Sequence, residues 1–288
     1  MLTAHVAVVT GASRGFGELI AKELAKQGAA VVLAARTEAD IQKHKDSIVT
    51  AGGRAACMAV DVQNAQSIKD LYAFTEKEFG PATIAVNNAA VALQASCLTV
   101  SLEEMQRSFE VNVLSVLLCS QEAYKHFQKR LRGEGGLSAA SQMLIINFTS
   151  VAGMEAVQAR SGRSLCPYDF SKSSVNALTW NFSGVAGEEN KKLAEEGKPT
   201  RIRVVGIAPY AFATEMFLGI AKNVGKPAEE LAKFVNPCGV LGPPEIISDL
   251  VGKLATGKVG DAEGWHNGAI RTVDGDGSEA AYRDAFFA

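Results

Sequence analysis

The stretch that decides the fold is VAVVTGASRGFGELIAKELAKQG, which runs from Val6 to Gly28. Its first four residues are valines and an alanine, as in a strand that is buried on both faces. From Phe16 onward the apolar positions recur every three or four residues, which is typical of a helix, and Gly28 supplies a stop. The stretch therefore predicts a strand, a glycine-rich turn and a helix in direct succession.

The turn between this strand and this helix has the spacing Gly-x-x-x-Gly-x-Gly. Gly11 permits the tight turn, Gly15 lets the backbone approach a ligand, and Gly17 lets the helix pack closely. Backbone N–H groups and the helix N-terminus then point toward a bound phosphate. A purely structural turn is the alternative, but the position between the first strand and the first helix favours phosphate binding.

Strand-like and helical segments alternate along the rest of the chain. The alternation predicts an α/β fold, with a doubly wound parallel sheet of about seven strands and helices on both faces. Such a sheet binds ligands at the carboxyl ends of its strands. No tract resembles a linker, so residues 1–288 are expected to form one domain. The predicted strands are Val6–Val9, Ala30–Ala34, Ala55–Val60, Ile84–Val86, Met143–Phe148, Ile202–Ile207 and Ala269–Val273.

Several segments depart from this alternation. Residues 102–128 form one long apolar helical pattern. The segment Phe212–Pro244, within a region near 210–244, has helical pieces but no strand, and is either a lid over a site or an ordinary pair of connecting helices. Polar or glycine-rich surface insertions are predicted at Arg132–Gln142, Gln158–Ser164 and Gly187–Thr200.

Composition narrows the classes of function. The net charge of −2 gives no reason to expect nucleic acid or an anionic membrane as a partner. The five cysteines form no Cys-x-x-Cys pair and no cluster with histidine, so reduced thiols are favoured over disulfides or a metal site. The first strand leaves no room for a leader, and no apolar run is long enough for a bilayer. We therefore expect a cytoplasmic protein.

The end of the second predicted strand indicates which cofactor is bound. An acidic residue there would bond the ribose 2′-hydroxyl of NAD, but this chain has Ala34-Ala35-Arg36. Arg36, together with Arg14 of the glycine-rich turn, could hold a 2′-phosphate through charge-assisted hydrogen bonds. Either arginine could instead be a solvated surface residue. The missing acid and the paired arginines favour NADP(H).

Tyr168 and Lys172 are separated by one helical turn and would share one face of a helix. At about 4 Å and an effective dielectric constant near 20, an ammonium stabilises a phenolate by about 4 kcal/mol. That is roughly three pKa units, so the pKa of Tyr168 is expected to fall from about 10 toward 7. The hydroxyl could then donate a proton to a carbonyl or accept one from an alcohol.

Two further polar residues accompany this pair. Ser150 follows the predicted strand Met143–Phe148, at the carboxyl end where this fold places its site. Asn112 lies inside the apolar helix, where its amide needs a partner. A local hydrogen bond would satisfy that amide without any catalytic role.

Taken in order, these motifs resemble the short-chain dehydrogenase/reductase family, in its short, single-domain, Rossmann-type branch. The resemblance runs from Val6 to about Gly277 and rests on the order and spacing of motifs that are weak individually. They are Thr10–Gly17, Asp61-Val62, Asn87-Asn88-Ala89-Ala90, Asn112, Ser150, Tyr168 with Lys172, Pro209 with Thr214, Gly242–Ile246 and Val273–Gly277.

The resemblance implies four catalytic residues. Tyr168 would be the acid/base, and Lys172 would lower its pKa and bond the nicotinamide ribose. Ser150 would bond the substrate oxygen, and Asn112 would hold a water that links Lys172 to a proton relay.

The resemblance also implies the residues that bind the cofactor. Asp61 and Val62 would border the adenine, Asn88 would lie on the adenosine side, and Thr214 would meet the nicotinamide carboxamide. The full set of implied contacts is Gly11, Ser13, Arg14, Gly15, Phe16, Gly17, Arg36, Asp61, Val62, Asn88, Ala89, Tyr168, Lys172, Pro209 and Thr214.

The implied function is NADP(H)-dependent reduction of a small carbonyl substrate, of ketone or ketoacyl type, by hydride transfer. An alcohol dehydrogenase working in the oxidative direction is one alternative, and a non-catalytic NADP-binding sensor is another. The family also implies a homodimer or homotetramer that packs through the helices beginning near Leu102 and Tyr168.

Three departures from the usual family pattern concern the substrate side. Ala90 and Tyr210 stand where the family usually has glycine, and residues 158–164 lengthen the interval between Ser150 and Tyr168. Tyr210 either projects into the substrate space or packs on the surface.

Overall fold

The computed structural model describes residues 1–132, 142–154, 165–198 and 201–281. Within these residues one sheet contains eight strands, seven of them parallel and the last antiparallel to its neighbour. The strands are β1 (Val6–Thr10), β2 (Ala30–Ala35), β3 (Arg54–Ala59), β4 (Ile84–Asn87), β5 (Gln142–Phe148), β6 (Arg201–Pro209), β7 (Ile270–Val273) and β8 (Glu279–Ala281).

The spatial order of the strands is β3-β2-β1-β4-β5-β6-β7-β8. The order reverses at β1, which pairs with β2 on one side and with β4 on the other. This confirms the predicted doubly wound sheet, and it places the topological switch point at the carboxyl ends of β1 and β4, where such sheets bind ligands.

Helices cover both faces of the sheet. One core lies beneath α1 (Gly15–Lys26), α2 (Glu38–Thr50) and α9 (Glu245–Thr256), and the other beneath α3 (Ala65–Phe79), α5 (Ser115–Arg132) and α6 (Cys166–Glu195). Among the described residues, no helix combines the length and the apolar character that crossing a membrane requires. The helices are α1 (Gly15–Lys26), α2 (Glu38–Thr50), α3 (Ala65–Phe79), α4 (Leu102–Phe109), α5 (Ser115–Arg132), α6 (Cys166–Glu195), α7 (Glu215–Val224), α8 (Ala228–Val235) and α9 (Glu245–Thr256).

Strand β8 is an addition to the seven predicted strands. It is too short to carry a periodic pattern, and tertiary contacts hold it in place. The Glu279 carboxylate accepts hydrogen bonds from Trp265 Nε1 at 2.7 Å and from Arg271 Nε at 3.2 Å. Because Trp265 lies outside β7 and β8, no local pattern reveals this contact.

The predicted continuous helix over residues 102–128 is wrong. A π-helical turn, Glu110–Leu114, separates α4 from α5 and carries Asn112. Such turns insert one extra residue into a helix and re-aim its side chains. Here the Asn112 amide turns toward the backbone of Val91, so a tertiary hydrogen bond breaks the helical register.

The predicted insertion Gly187–Thr200 is also largely helix, since α6 continues to Glu195. The helix persists because Ala186 and Leu193 are buried and because the Asn190 side chain bonds the backbone of Ile202 on β6. Residues 199–200 lie outside the described residues, as do residues 133–141 and 155–164, which hold most or all of the other two predicted insertions.

Candidate active site

The glycine-rich turn follows β1 and has the backbone geometry that its sequence predicts. Gly11 and Gly15 have φ values of 65° and 58°, a region that favours glycine. A Cβ at Gly17 would overlap the Gly11 carbonyl oxygen, so helix α1 could not begin this close to the turn with any other residue. At Gly15 the nearest side chain, Thr214, is 3.8 Å from where a Cβ would stand, which leaves the backbone exposed to a ligand.

Asn88 and Thr10 hold this turn in place. The Asn88 amide donates to the carbonyls of Thr10 and Gly11 at 3.0 and 3.2 Å. The Thr10 hydroxyl accepts from the backbone N–H groups of Asn88 and Ala89 at 3.1 and 3.2 Å. The side chain of Asn88, which the family resemblance assigns to the adenosine, therefore braces the turn itself.

On the other side of the turn, the Phe16 ring packs against two aromatic rings. Its ring lies 5.8 Å from the Phe148 ring and 5.6 Å from the Phe212 ring, between centroids. Phe16 thus ties α1 to the end of β5 and to the segment after β6. Its side chain is partly buried and packs against the core.

Charged side chains lie at the carboxyl ends of β2 and β3, beside the glycine-rich turn. Thr10 and Ala34 are directly opposite in paired strands, so Arg14 and Arg36, which follow them, lie at the same edge of the sheet. Arg36 is exposed, and so is Asp61, which follows β3, while Val62 is buried. These positions fit a cofactor that extends across the ends of β1, β2 and β3.

Arg14 already has a partner within the chain. Its Nη1 lies 3.0 Å from Oε2 of Glu215, the first residue of α7, and both side chains are more than half exposed. Such an exposed pair contributes only about 0.2–1 kcal/mol. A phosphate at the turn would compete with Glu215 for Arg14.

Ser150 and Tyr168 meet at the carboxyl end of β5. The hydroxyl groups of Ser150 and Tyr168 are hydrogen-bonded to each other. Ser150 also accepts from the backbone N–H of Ala152 at 3.1 Å, at the start of a 3-10 turn, Val151–Gly153. Pro167 lies in the first turn of α6, where proline is tolerated, and Tyr168 follows it directly.

Gly153 makes this meeting possible, and sequence reasoning missed it. A Cβ at Gly153 would lie 2.8 Å from the backbone of Lys172 and Ser173. The 3-10 turn therefore touches the backbone of α6, and this brings Ser150 within reach of Tyr168. The only sequence signal is a glycine three residues after the serine.

Lys172 is buried at 3% exposure, and its Nζ donates to the carbonyl oxygen of Phe148 at 2.7 Å. The same Nζ lies 5.6 Å from the centre of the Tyr168 ring. Burial disfavours the ammonium and lowers the pKa of Lys172 to about 7.

The expected fall in the pKa of Tyr168 is wrong. Burial of the phenol raises its pKa to about 12, more than the hydrogen bond from Ser150 lowers it. A fall would require an ammonium held beside the phenol in a partly solvated site. In the structure, Lys172 donates to Phe148, and the low polarity that raises the tyrosine pKa also lowers that of the lysine.

Asn112 is 1% exposed and is held by hydrogen bonds. Its Oδ1 accepts from the backbone N–H of Val91 at 2.8 Å, and its Nδ2 donates to the Val91 carbonyl and the Ser171 hydroxyl, both at 2.9 Å. Ser171 is the neighbour of Lys172. The Asn112 side chain therefore links three elements, namely the π-helical turn, α6, and the segment that follows β4. These links bring the elements of the site together.

The segment after β6 lies beside the glycine-rich turn. Pro209 ends β6, and Tyr210, partly buried, packs against the small apolar cluster of Val151, Met154, Ala208 and Ile270 rather than on the open surface. Thr214 caps α7, accepting from the Phe217 N–H at 3.4 Å, and lies next to Gly15. The predicted helical pieces of this segment are α7 and α8.

Comparison with known proteins agrees with this arrangement. A family profile described as short chain dehydrogenase matches residues 5–224. An uncharacterized oxidoreductase of Methylorubrum extorquens is 36% identical over 277 residues, which are 95% of this chain and 98% of that protein. A 3-oxoacyl-[acyl-carrier-protein] reductase of Synechocystis is 30% identical over 275 residues, 95% and 97% of the two chains.

A solved short-chain dehydrogenase/reductase from Serratia marcescens has the same architecture. It superposes with a TM-score of 0.74 at 27% identity, and the match covers 95% of this chain and 98% of that one. With the family profile covering most of the residues and the fold and site in agreement, the chain belongs to the short-chain dehydrogenase/reductase family of oxidoreductases.

Proposed function

We propose that this protein is an NADP(H)-dependent reductase that converts a ketone or ketoacyl substrate to an alcohol, with Tyr168 as the proton donor. The observation that carries the proposal is the grouping of Ser150, Tyr168 and Lys172. These residues lie at the carboxyl end of β5, at the same edge of the sheet as the glycine-rich turn. A dinucleotide sensor has no need for this grouping.

The residues around the turn fit a nicotinamide dinucleotide. Gly11 and Gly15 expose backbone without side chains, at the start of α1, where a pyrophosphate is bound in this fold. Arg14 and Arg36 suit a 2′-phosphate, and no acidic residue ends β2 to repel it. When bound, the cofactor supplies the hydride that is transferred to the carbonyl carbon.

Residues of this chain orient the substrate and supply the proton. Ser150 donates a hydrogen bond to the substrate oxygen and orients the carbonyl. The Tyr168 hydroxyl gives its proton to the same oxygen as negative charge develops there. Lys172 in its protonated form stabilises the phenolate that Tyr168 leaves behind, and Asn112 fixes the position of α6 through Ser171.

We take reduction as the main direction, because a cofactor held by Arg14 and Arg36 would be NADPH, which supplies hydride for reduction. Burial raises the pKa of Tyr168 to about 12, so the residue carries its proton at neutral pH, as a proton donor must at the start of reduction. The same residues would serve alcohol oxidation in the reverse direction, starting from the phenolate.

The proposal extends to assembly and location. We expect a homodimer or homotetramer, because apolar side chains on the helices that begin at Leu102 and Cys166 face outward; Leu102, Phe170 and Val185 are 74%, 52% and 59% exposed. All five cysteines are thiols, which favours a cytoplasmic location. We interpret α7 and α8 as a lid over the substrate in a single domain of residues 1–288.

A substrate screen tests the proposed function. NADPH oxidation is followed with ketones, quinones and ketoacyl thioesters, and NADP⁺ reduction with the matching alcohols. We expect turnover with at least one carbonyl class, faster in reduction and faster with NADPH than with NADH. Tight NADPH binding without turnover on any carbonyl or alcohol would favour the sensor instead.

A further inference from the structure

Asn236 directly follows α8, is only 4% exposed, and is not used by the proposed mechanism. Its Oδ1 accepts from the backbone N–H of Ala211 at 2.7 Å, and its Nδ2 donates to the carbonyl oxygen of the same residue at 2.9 Å. Ala211 follows the end of β6 and is 1% exposed. One side chain therefore binds both backbone polar groups of a buried residue that lies 25 positions earlier in the chain.

The Asn236 amide is used to its full donor capacity. Its Nδ2 also donates to the carbonyl oxygen of Val240 at 2.5 Å. The side chain thus offers one acceptor to an N–H group and two donors to two carbonyl oxygens, which is the pattern of a carboxamide. A leucine of similar volume would break all three bonds and leave the buried Ala211 N–H without its partner.

These bonds close the neck of the segment that contains α7 and α8. Ala211 stands where this segment leaves the sheet, and Asn236 stands where α8 ends. Beside them, the Gly242 N–H also donates to the Ala211 carbonyl, at 3.1 Å. The Cys238 N–H donates to Oδ2 of Asp274, after β7, at 2.8 Å. The two helices therefore extend from a neck that is fixed at the ends of β6 and β7.

The residues that follow Ala211 contact the glycine-rich turn and the start of α1. The Phe212 ring is 1% exposed, and its centroid lies 5.6 Å from that of the Phe16 ring. The Thr214 side chain lies 3.8 Å from where a Cβ of Gly15 would stand. The family resemblance assigns Thr214 to the nicotinamide carboxamide. The position of the Ala211 backbone therefore determines where side chains near the nicotinamide would stand.

We infer that Asn236 is a positioning residue for the nicotinamide end of the cofactor: its amide holds the Ala211 backbone, and through it Phe212 and Thr214, beside the glycine-rich turn. This inference rests on the proposed dinucleotide function. The turn itself is held by Asn88, whose amide bonds two of its carbonyls. Loss of the Asn236 amide should therefore weaken contacts to the nicotinamide and leave contacts to the phosphates and the adenosine in place.

A fragment of the cofactor separates the two ends of the site. ADP-ribose phosphorylated at the 2′ position carries the adenosine and the phosphates of NADPH but lacks the nicotinamide. Calorimetry gives the dissociation constants of NADPH and of this fragment for the wild type and Asn236→Leu. We expect the variant to bind NADPH about fivefold or more weakly, in line with the loss of one hydrogen bond, and the fragment within about twofold of the wild type.

Asn190→Leu is the matched control. Asn190 on α6 makes the same pair of bonds, accepting from the N–H of Ile202 at 2.8 Å and donating to its carbonyl at 2.9 Å. Ile202 lies at the start of β6, at the opposite end of the strand from Ala211. Circular dichroism and thermal unfolding establish that each variant is folded. We expect Asn190→Leu to lower the melting temperature but to leave the ratio of the NADPH and fragment affinities unchanged.

Hydrogen exchange on the wild type tests the same link without a substitution. If a fixed neck favours nicotinamide binding, then nicotinamide binding must stabilise the neck. Amide exchange reports such local stabilisation. We expect NADPH to slow exchange in residues 211–214 and 236–242 more than the fragment does, with each ligand at saturation.

The outcomes separate this inference from the proposed function. Unchanged NADPH affinity in Asn236→Leu, equal weakening of NADPH and the fragment, or the same change of their ratio in Asn190→Leu would overturn the role of Asn236 and leave the cofactor assignment intact. Equal exchange at the neck with either ligand would overturn it even if Asn236→Leu did not fold. A folded wild type that binds neither NADPH nor the fragment would overturn the proposed function itself.

Discussion

Among single residues, Lys172 shows most clearly that a buried residue of the site lowers the free energy of unfolding. Its pKa of about 7 in the folded protein lies well below that of an ordinary lysine, near 10.4. The unfolded chain therefore holds a proton that the folded protein binds less readily. The cost to stability is complete below about pH 7 and disappears as the pH rises toward 10.

We expect Lys172→Met to be more stable than the wild type at about pH 6, by about 1–4 kcal/mol, as when buried charges are replaced by apolar groups of similar volume. Denaturant unfolding at several pH values measures this difference. The gap should narrow as the pH rises toward 9 or 10. A wild type that is more stable than the variant at pH 6, or a gap that widens with pH, would contradict the role of burial.

Arg14 and Arg36, the two arginines near the glycine-rich turn, give a second prediction for single residues. Arg36→Ala removes a charged hydrogen bond of about 1.5–3 kcal/mol, so NADPH should bind roughly ten- to hundredfold more weakly while NADH is nearly unchanged. Glu215→Gln is the matched opposite, because it releases Arg14 from its ion pair. NADPH affinity should then rise by up to about fivefold.

Both cofactors are titrated with each variant and the wild type. Equal losses of NADPH and NADH affinity in Arg36→Ala would show that the residue does not meet a 2′-phosphate. A Glu215→Gln protein that binds NADPH more weakly would show that the Arg14–Glu215 ion pair stabilises the cofactor site, and that Glu215 does not compete with the phosphate for Arg14.

At the scale of elements, the contact between the 3-10 turn and α6 positions Ser150 against Tyr168. Gly153→Ala puts a Cβ within 2.8 Å of the Lys172 backbone, so the turn must move away from the helix. A displacement of about 1 Å at a reacting group can cost a hundredfold in rate. We expect turnover to fall by about ten- to a hundredfold while NADPH affinity changes little.

Gly184→Ala is the matched control, since Gly184 lies on the same helix and nothing stands within 4 Å of its added Cβ. Steady-state rates and NADPH titrations are compared for both variants. Equal effects of the two substitutions on turnover would contradict the importance of this contact.

The features that could be predicted from the sequence are local ones. The strands of the sheet are continuous apolar runs, and the turn is set by Gly11, Gly15 and Gly17, so both could be predicted. The π-helical turn at Asn112, the strand β8 and the continuation of α6 past Gly187 depend on partners far along the chain, namely Val91, Trp265 and Ile202. Periodicity carries no signal for such partners.

The candidate site shows the same division. Ser150 could be placed at the carboxyl end of a predicted strand, and Tyr168 and Lys172 on one face of a predicted helix. The family resemblance then implied that the three residues act together. The pKa values could not be predicted, since they depend on how deeply the two groups are buried and on the Phe148 carbonyl that Lys172 bonds.

At the scale of the whole molecule, the outward apolar side chains favour assembly. We expect light scattering at micromolar concentration to give two or four times the chain mass of 30.4 kDa. Combining Phe170→Asp with Val185→Asp should shift this mass toward the monomer, because charge is placed on the exposed apolar side chains of α6.

Phe234→Asp is the control, since Phe234 is also exposed, at 76%, but lies on α8. It should leave the assembly unchanged. A monomeric wild type would contradict the proposed oligomer, and dissociation by Phe234→Asp alone would place the interface elsewhere.

The order of the sheet brings β1, β4 and β5 side by side, so that the glycine-rich turn and the Ser150–Tyr168 pair lie at one edge. We propose that this edge forms a reductase site in which Tyr168 gives the proton. Tyr168→Phe keeps the ring and its packing but removes that proton, and it leaves the turn and the arginines untouched.

The most direct test measures NADPH binding and turnover together, for the wild type and Tyr168→Phe, on a carbonyl substrate that the wild type reduces. We expect NADPH to bind both proteins with similar affinity. Turnover by the variant should fall at least about a hundredfold, the contribution that a positioned acid supplies. Turnover by Tyr168→Phe at the wild-type rate would contradict the proposed mechanism.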